Sequence, residues 1–375
     1  MTCARGTNLG RSGCSPATSV PWQAPWHAAG MVIEYRPLGR TGMRVSPLCL
    51  GTMMFGAWGN TDQDECVRMI HTALDAGVNM IDTADVYAFG ETEEIVGRAL
   101  RGRRDQVVLA TKFGNPMGAD PNQQGNSRRW ITRAVEDSLR RLGTDWIDLY
   151  QVHRPDPSVE IDETLSALSD LVRQGKVRAI GSSVFPAEQL VEAQWASALR
   201  GLERFGTEQP PYSLLARQAE ASVLPTCEKY GLGVLVFSPL NGGWLTGKYT
   251  RSGAAPADSR AERNAEHFDF RAQEVRSRKL DVAEAVRDLA SEAGLSMIHL
   301  ALGFVLAHRA VTSAIIGPRT LAQLESQLGA SEVRLDPDVL DSLDKLVAPG
   351  TNLSADDAGH VPPALTDPSL RRAVR

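Results

Sequence analysis

VNMIDTADVYAFGETEEIVGRALRGRRDQVVLATKFG, residues 78–114, holds the pattern on which the fold turns. VNMID (78–82) and QVVLATK (106–112) are short, apolar β-type runs. Between them, Glu91–Leu100 has the amphipathic spacing of a helix. Strand, helix, strand in that order is a βαβ unit, whose strands run parallel and are covered on both faces.

The same alternation extends in both directions. Upstream, VSPLCLGT (45–52) reads as a strand, and Cys66, Met69, Ile70, Ala73 and Leu74 fall on one helical face. Downstream, Ile131, Val135, Leu139 and Leu142 form a helical stripe before WIDLYQVH (146–153). Leu165, Leu168 and Val172 precede KVRAIGSS (176–183). A helix over 186–199 leads to a weak strand ending at Gln209. Val223–Tyr230 is helical before GVLVFS (233–238), and Leu280–Glu292 is helical before TSAIIG (312–317). Leu321, Leu324 and Leu328 face one way on a closing helix. Eight strand candidates, each followed by helix, predict an α/β fold of the closed (β/α)8 TIM barrel kind rather than an open sheet. YRPLGRTGMRVSPL (35–48), with its turn at Gly39–Gly42, predicts an N-terminal β-hairpin across the barrel bottom.

The barrel is assigned to residues 31–350. Residues 1–30 have no regular periodicity and read as a disordered extension, or as a start codon placed upstream of Met31. They lack the apolar core of a secretory signal. Residues 351–375 read as an irregular tail. The five cysteines contain no CxxC pair, which argues against a disulfide scaffold and a cysteine-built metal site. No metal is expected. A net charge of −5 gives no reason to expect nucleic acid, and no apolar run approaches the ~18 residues of a membrane span. A cytoplasmic protein is the expectation, as a monomer or homo-oligomer.

Two phosphate-binding patterns fail on context. Gly231–Gly233 precedes a strand instead of opening a helix, as a dinucleotide fingerprint must. GGWLTGK (242–248) fits GxxxxGK, but Tyr249 stands where the magnesium-holding hydroxyl belongs and a loop follows it.

The informative residues are distributed over three consecutive strand ends. Asp82 closes one strand and Tyr87 follows in its loop; Lys112 and His153 close the next two. In a (β/α)8 barrel these ends converge on one mouth. A phenol titrates near pH ~10, too high for an efficient acid, and a neighbouring ammonium lowers that value. Asp82 would hold Lys112 charged, and His153 would donate a hydrogen bond. The set suits protonation of a carbonyl oxygen as hydride reaches the carbon.

DTADVY (82–87), LATKFG (109–114) and YQVHRPD (150–156) resemble motifs of the aldo-keto reductase superfamily. The resemblance continues in order through GSSVF (181–185), QPPYSLL (209–215), FSPLNGGWLTGKY (237–249) and IIGPRTLAQLESQLGA (315–330), covering about residues 32–348. It implies that Asp82, Tyr87, Lys112 and His153 are a catalytic tetrad, with Tyr87 as general acid in reduction and general base in oxidation. It implies an NADP(H)-dependent oxidoreductase acting on aldehydes, ketones or the corresponding alcohols, with NAD the less favoured cofactor.

The implied cofactor residues are Gly51, Thr52, Asp82, Ser183, Gln209, Phe237, Ser238, Pro239, Leu240, Gly242, Lys248, Gly317, Arg319, Thr320 and Gln323. Arg319 with Thr320 suits a 2′-phosphate, because a guanidinium pairs with phosphate through two N–H groups. Val184 stands where the family has an asparagine on the nicotinamide amide, which removes one hydrogen bond worth about 0.5–1.5 kcal/mol. Gln327 replaces a second asparagine. Met54, Phe55, Trp58, Tyr87, Phe113 and His153 are the substrate-side candidates, and the polar loop 116–129 has the character of a lid. The alternative function is a non-catalytic, cofactor-sensing regulatory subunit on the same fold, as in potassium-channel β subunits.

Overall fold

The computed structural model describes residues 33–251, 253–257, 259–263, 269–359 and 361–372; the expectation for residues 1–30 lies outside them. Strands β1 (Arg36–Pro37) and β2 (Arg44–Val45) pair antiparallel. The eight that follow form one closed parallel barrel. They are β3 (Leu48–Gly51), β4 (Met80–Asp82), β5 (Val108–Phe113), β6 (Ile147–Val152), β7 (Val177–Ser183), β8 (Thr207–Gln209), β9 (Gly233–Val236) and β10 (Ser313–Ile316). Each strand pairs with its chain neighbour, and β10 closes the ring on β3, with Ala314 opposite Leu48 and Ile316 opposite Leu50. The TIM barrel expected from the alternation is therefore present, hairpin included.

The outer ring includes α1 (Gln63–Asp75), α2 (Glu91–Ala99), α3 (Arg128–Leu142), α4 (Ile161–Arg173), α5 (Ala187–Arg200) and α6 (Val223–Tyr230). A short α7 (Arg260–Arg263) is followed by α8 (Gln273–Glu292), α9 (Met297–Ala307), α10 (Leu321–Leu328) and α11 (Pro337–Leu346). The buried face of α1 is Cys66, Met69, Ile70, Ala73 and Leu74, the stripe read from the sequence. Asp62 caps its N-terminus by accepting from the N–H groups of Asp64 and Glu65, and Ser127 does the same for α3 through Trp130. Helix α8 begins seven residues before the expected start at Leu280, because QEVRSRK carries no apolar stripe to announce it.

Two packed layers hold the barrel. Between strands and helices lies the large outer core; inside, Cys49, Met80, Ala110, Leu149, Leu235 and Ile315 fill the lumen. Leu38 and Val45 of the hairpin join that inner cluster and plug the bottom. The plug seats tightly at Gly39, whose φ is +55°. A Cβ there would fall 2.3 Å from the backbone nitrogen of Gly233, so only glycine fits. With the bottom sealed, the one open end is the C-terminal mouth. No single helix among the described residues is long and apolar enough to cross a membrane.

Candidate active site

A cavity of about 720 Å³ opens at the mouth. Asp82 ends β4 and Lys112 lies one residue before the end of β5, so both project to the lumen side at the top of the barrel. Lys112 Nζ donates to Asp82 Oδ2 at 2.6 Å, to the Thr83 carbonyl at 2.9 Å and to the Tyr87 hydroxyl at 3.3 Å. The His153 ring meets the Tyr87 ring edge-on, with centroids 5.9 Å apart. All four expected residues thus come together, three of them lining the cavity and Lys112 buried behind them.

Burial is the largest single influence on Tyr87, Lys112 and His153. It pushes the Tyr87 phenol above its ordinary value and outweighs the downward pull of Lys112 and Arg154, reversing the expected net direction. The Lys112 ammonium is opposed by burial, but Asp82 and Tyr87 raise its pKa above the ordinary lysine value. Burial, then the charges of Lys112 and Arg154, hold His153 well below its usual range, so it is neutral at physiological pH. Asp82 is further anchored at Oδ1 by the side-chain amides of Gln209 (2.9 Å) and Gln151 (3.2 Å).

The loop that carries Tyr87 is conformationally constrained. Ala88 and Phe89, which follow it, have φ of +45° and +52°. Such conformations cost on the order of 1–3 kcal/mol each and persist only where the surroundings impose them. Glu93 of α2 braces the strand behind, accepting from Thr111 Oγ1 at 2.6 Å while Arg141 pairs with its other oxygen at 2.7 Å.

From the tetrad the cavity runs toward β10. Ser183 and Gln209 lie on one side; Phe237, Ser238, Pro239 and Leu240 follow β9. Gly242, Lys248, Gly317, Arg319 and Gln323 line the far end, and Gly51 and Thr52 line the wall at β3. The 241–247 segment forms tight turns in place of an α-helix, which is why GxxxxGK there is not a nucleotide-hydrolase loop. Gly243, with φ +101°, makes room for Lys248, since a Cβ there would lie 2.7 Å from Nζ. At the same end Gln327 Oε1 is buried without a hydrogen-bond partner. A cleft with amide groups near the tetrad, cations at the other end and an unsatisfied buried amide oxygen beyond them fits a dinucleotide.

Some expected residues are placed otherwise. Phe113 does not face the cavity: it follows Lys112, so strand alternation turns it outward, where it packs on Tyr150 with centroids 4.8 Å apart. Phe55 is also fully buried in the core, its backbone bridged to Asn60, while Met54 and Trp58 of the same loop reach the cavity. Thr320 does not line the cavity; its hydroxyl caps α10 by accepting from Gln323 N–H. Val184 stands at φ +61°, a strained conformation for a β-branched residue. Its side chain lies beside Gly359 and does not line the cavity. Arg154, Arg260, Arg263 and Ser326 line the cavity without having been singled out in the sequence. For Arg154 the available signal was its place directly after a strand-end histidine.

Residues 47–348 match the family model described as the Aldo/keto reductase family. The chain belongs to this family. It is 42% identical over 326 residues to a Bacillus subtilis protein named "Uncharacterized oxidoreductase YrpG", covering 84% of this chain and 96% of that one. It is 39% identical over 300 residues to "Aldo-keto reductase YhdN" of the same bacterium, covering 78% and 87%. It is also 37% identical over 330 residues to an Oryza sativa subsp. japonica protein named "Probable voltage-gated potassium channel subunit beta", covering 84% and 97%. The aldo/keto reductase match spans all eight barrel strands and every member of the Asp82–Tyr87–Lys112–His153 cluster.

Proposed function

We propose that the chain is an NADPH-dependent reductase of aldehydes and ketones, with Tyr87 as the general acid. The observation that carries this is the contact of buried Lys112 with both Asp82 and the Tyr87 hydroxyl, at the wall of a dinucleotide-sized cavity. Ser183 and Gln209 would hold the nicotinamide amide, Leu240, Gly242 and Lys248 the pyrophosphate, and Arg319 the 2′-phosphate. The bound cofactor supplies a hydride to the carbonyl carbon.

The chain's own residues handle the proton. Neutral His153 donates an N–H to the carbonyl oxygen and orients it. The Tyr87 hydroxyl, kept protonated by burial, transfers its proton to the same oxygen as negative charge develops there. The ammonium of Lys112, fixed by Asp82, stabilises the phenolate that remains, and solvent returns the proton. Oxidation of an alcohol reverses these roles.

Purified protein with NADPH and a panel of aldehydes tests the reading through loss of NADPH absorbance. Tyr87→Phe should cut turnover by about 10²–10⁴-fold, the range for a lost general acid. NADPH should bind that variant nearly as well as wild type, and NADH should bind both more weakly. Wild-type-like turnover in Tyr87→Phe would remove the acid assignment. A second reading, a cofactor-sensing regulatory subunit, is supported by the similarity to the rice protein. It is favoured if the protein binds NADPH yet turns over no aldehyde.

A further inference from the structure

The cavity wall is unbalanced in charge. Asp82 is its one acidic residue among the described residues, and Lys112 already neutralises it. Five cations share the lining: Arg154, Lys248, Arg260, Arg263 and Arg319. Four of them come from the segments after β9 and β10, the end assigned to the cofactor phosphates. Arg154 does not. It follows β6, which stands directly across the ring from β10 in the closed order of strands.

Arg154 is therefore beyond the tetrad as seen from the phosphate end. It adjoins His153 in the chain, and its charge acts on both Tyr87 and His153. Among the described residues no carboxylate lies within ion-pair distance of it; Nη1 donates to the Gly359 carbonyl at 3.2 Å. Its guanidinium has further N–H groups that this single bond does not use. Met54, Trp58 and Asn115 line the cavity with it, an apolar wall with one amide donor.

We propose that Arg154 selects carbonyl substrates carrying an anionic group, a carboxylate or phosphate, on the arm beyond the reacting carbon. A guanidinium binds such a group through two parallel N–H donors, and Arg154, exposed at the rim of the mouth, is reachable by the far end of a bound substrate. The proposal rests on the reductase reading above. It makes Arg154 a specificity residue that contacts substrate without taking part in proton or hydride transfer.

The test compares 3- and 4-carboxybenzaldehyde with their methyl esters, and with 4-formylphenyl phosphate, using the full chain and NADPH. Wild type should prefer the anionic aldehydes, chiefly through KM, and the preference should shrink as salt is raised. The ratio of kcat/KM for acid over ester should fall about tenfold or more in Arg154→Gln. Arg154→Lys, which keeps the charge but loses the fork, should retain part of it. Preference for the phosphate alone, or for the carboxylates alone, assigns the anion. A merely structural role for Arg154 would lower both substrates together and leave the ratio unchanged. An unchanged ratio in both variants, with the esters still reduced, overturns this proposal and leaves the reductase reading standing. Turnover of none of these aldehydes overturns both.

Discussion

At Asp82, Lys112 Nζ meets Oδ2 while the Gln209 and Gln151 amides meet Oδ1, all four side chains being buried. A buried pair of this kind is costly to break from one side only, because the remaining charge keeps its desolvation penalty. Lys112→Met should therefore lower stability by about 3–5 kcal/mol, measured by denaturant unfolding. Adding Asp82→Asn should recover part of that loss; a double variant as unstable as the sum of the singles would contradict a mutual interaction. The convergence of Asp82, Tyr87, Lys112 and His153 was legible from sequence because strand ends are legible and barrel topology brings them to one mouth. Tyr87's electrostatics were not: the sequence names the lysine that pulls its pKa down but not the depth of burial that pushes it up. Phe113 was misplaced for a similar reason, since side-chain direction at a strand end depends on register to the residue, and Phe55 because the loop after β3 folds its ring into the core.

Strand β8 shows how an element can be weak in sequence and firm in the fold. Its three residues, Thr207–Gln209, have no apolar pattern, because Gln209 serves the mouth and Glu208 is spent on the neighbouring strand. Glu208 accepts from Ser182 Oγ at 2.5 Å and from Phe185 N–H at 3.1 Å, fixing the turn that holds Val184 in its strained conformation. Burial pushes the Glu208 carboxyl up to about 8 from an ordinary 4.5. The folded chain thus keeps a proton that the unfolded chain releases, so this group's contribution to stability falls as pH rises from 4.5 to about 8. Glu208→Gln removes that proton linkage. The melting temperature of wild type should fall more steeply than that of Glu208→Gln across this window, by a few °C. Parallel curves would show that Glu208 titrates normally. Helix α8 carries the same lesson: its early turns bury Lys279, a charged residue that no apolar stripe can announce.

Across the whole molecule, residues 353–359 are tied to the mouth. Leu353 N–H donates to the Leu215 carbonyl at 3.0 Å, Arg154 donates to the Gly359 carbonyl, and Asp357 pairs with Lys279 at 2.8 Å. Lys279 Nζ in turn donates to Asn241 Oδ1 at 2.8 Å, inside the loop assigned to the pyrophosphate. The stretch read as an irregular tail carries short helical turns, at 355–358 among others, and bears on both ends of the cavity. Truncation after Gly350 should lower the melting temperature and weaken NADPH binding together, as read by thermal unfolding and fluorescence titration; an unchanged affinity would mean that the link through Lys279 stops at the loop. The barrel itself was legible because its strands, β8 apart, are short and largely apolar and alternate with amphipathic helices. Its closure, Ala314–Ile316 beside Leu48–Leu50, was implied by the count of eight alone. That closure also constrains biosynthesis. The ribosome makes β3 near the beginning and its partner β10 near the end, at about 5–20 residues per second. For on the order of ten seconds or more, then, the nascent chain carries an apolar strand edge with nothing to cover it. Protection of that edge during translation is a requirement built into the ring.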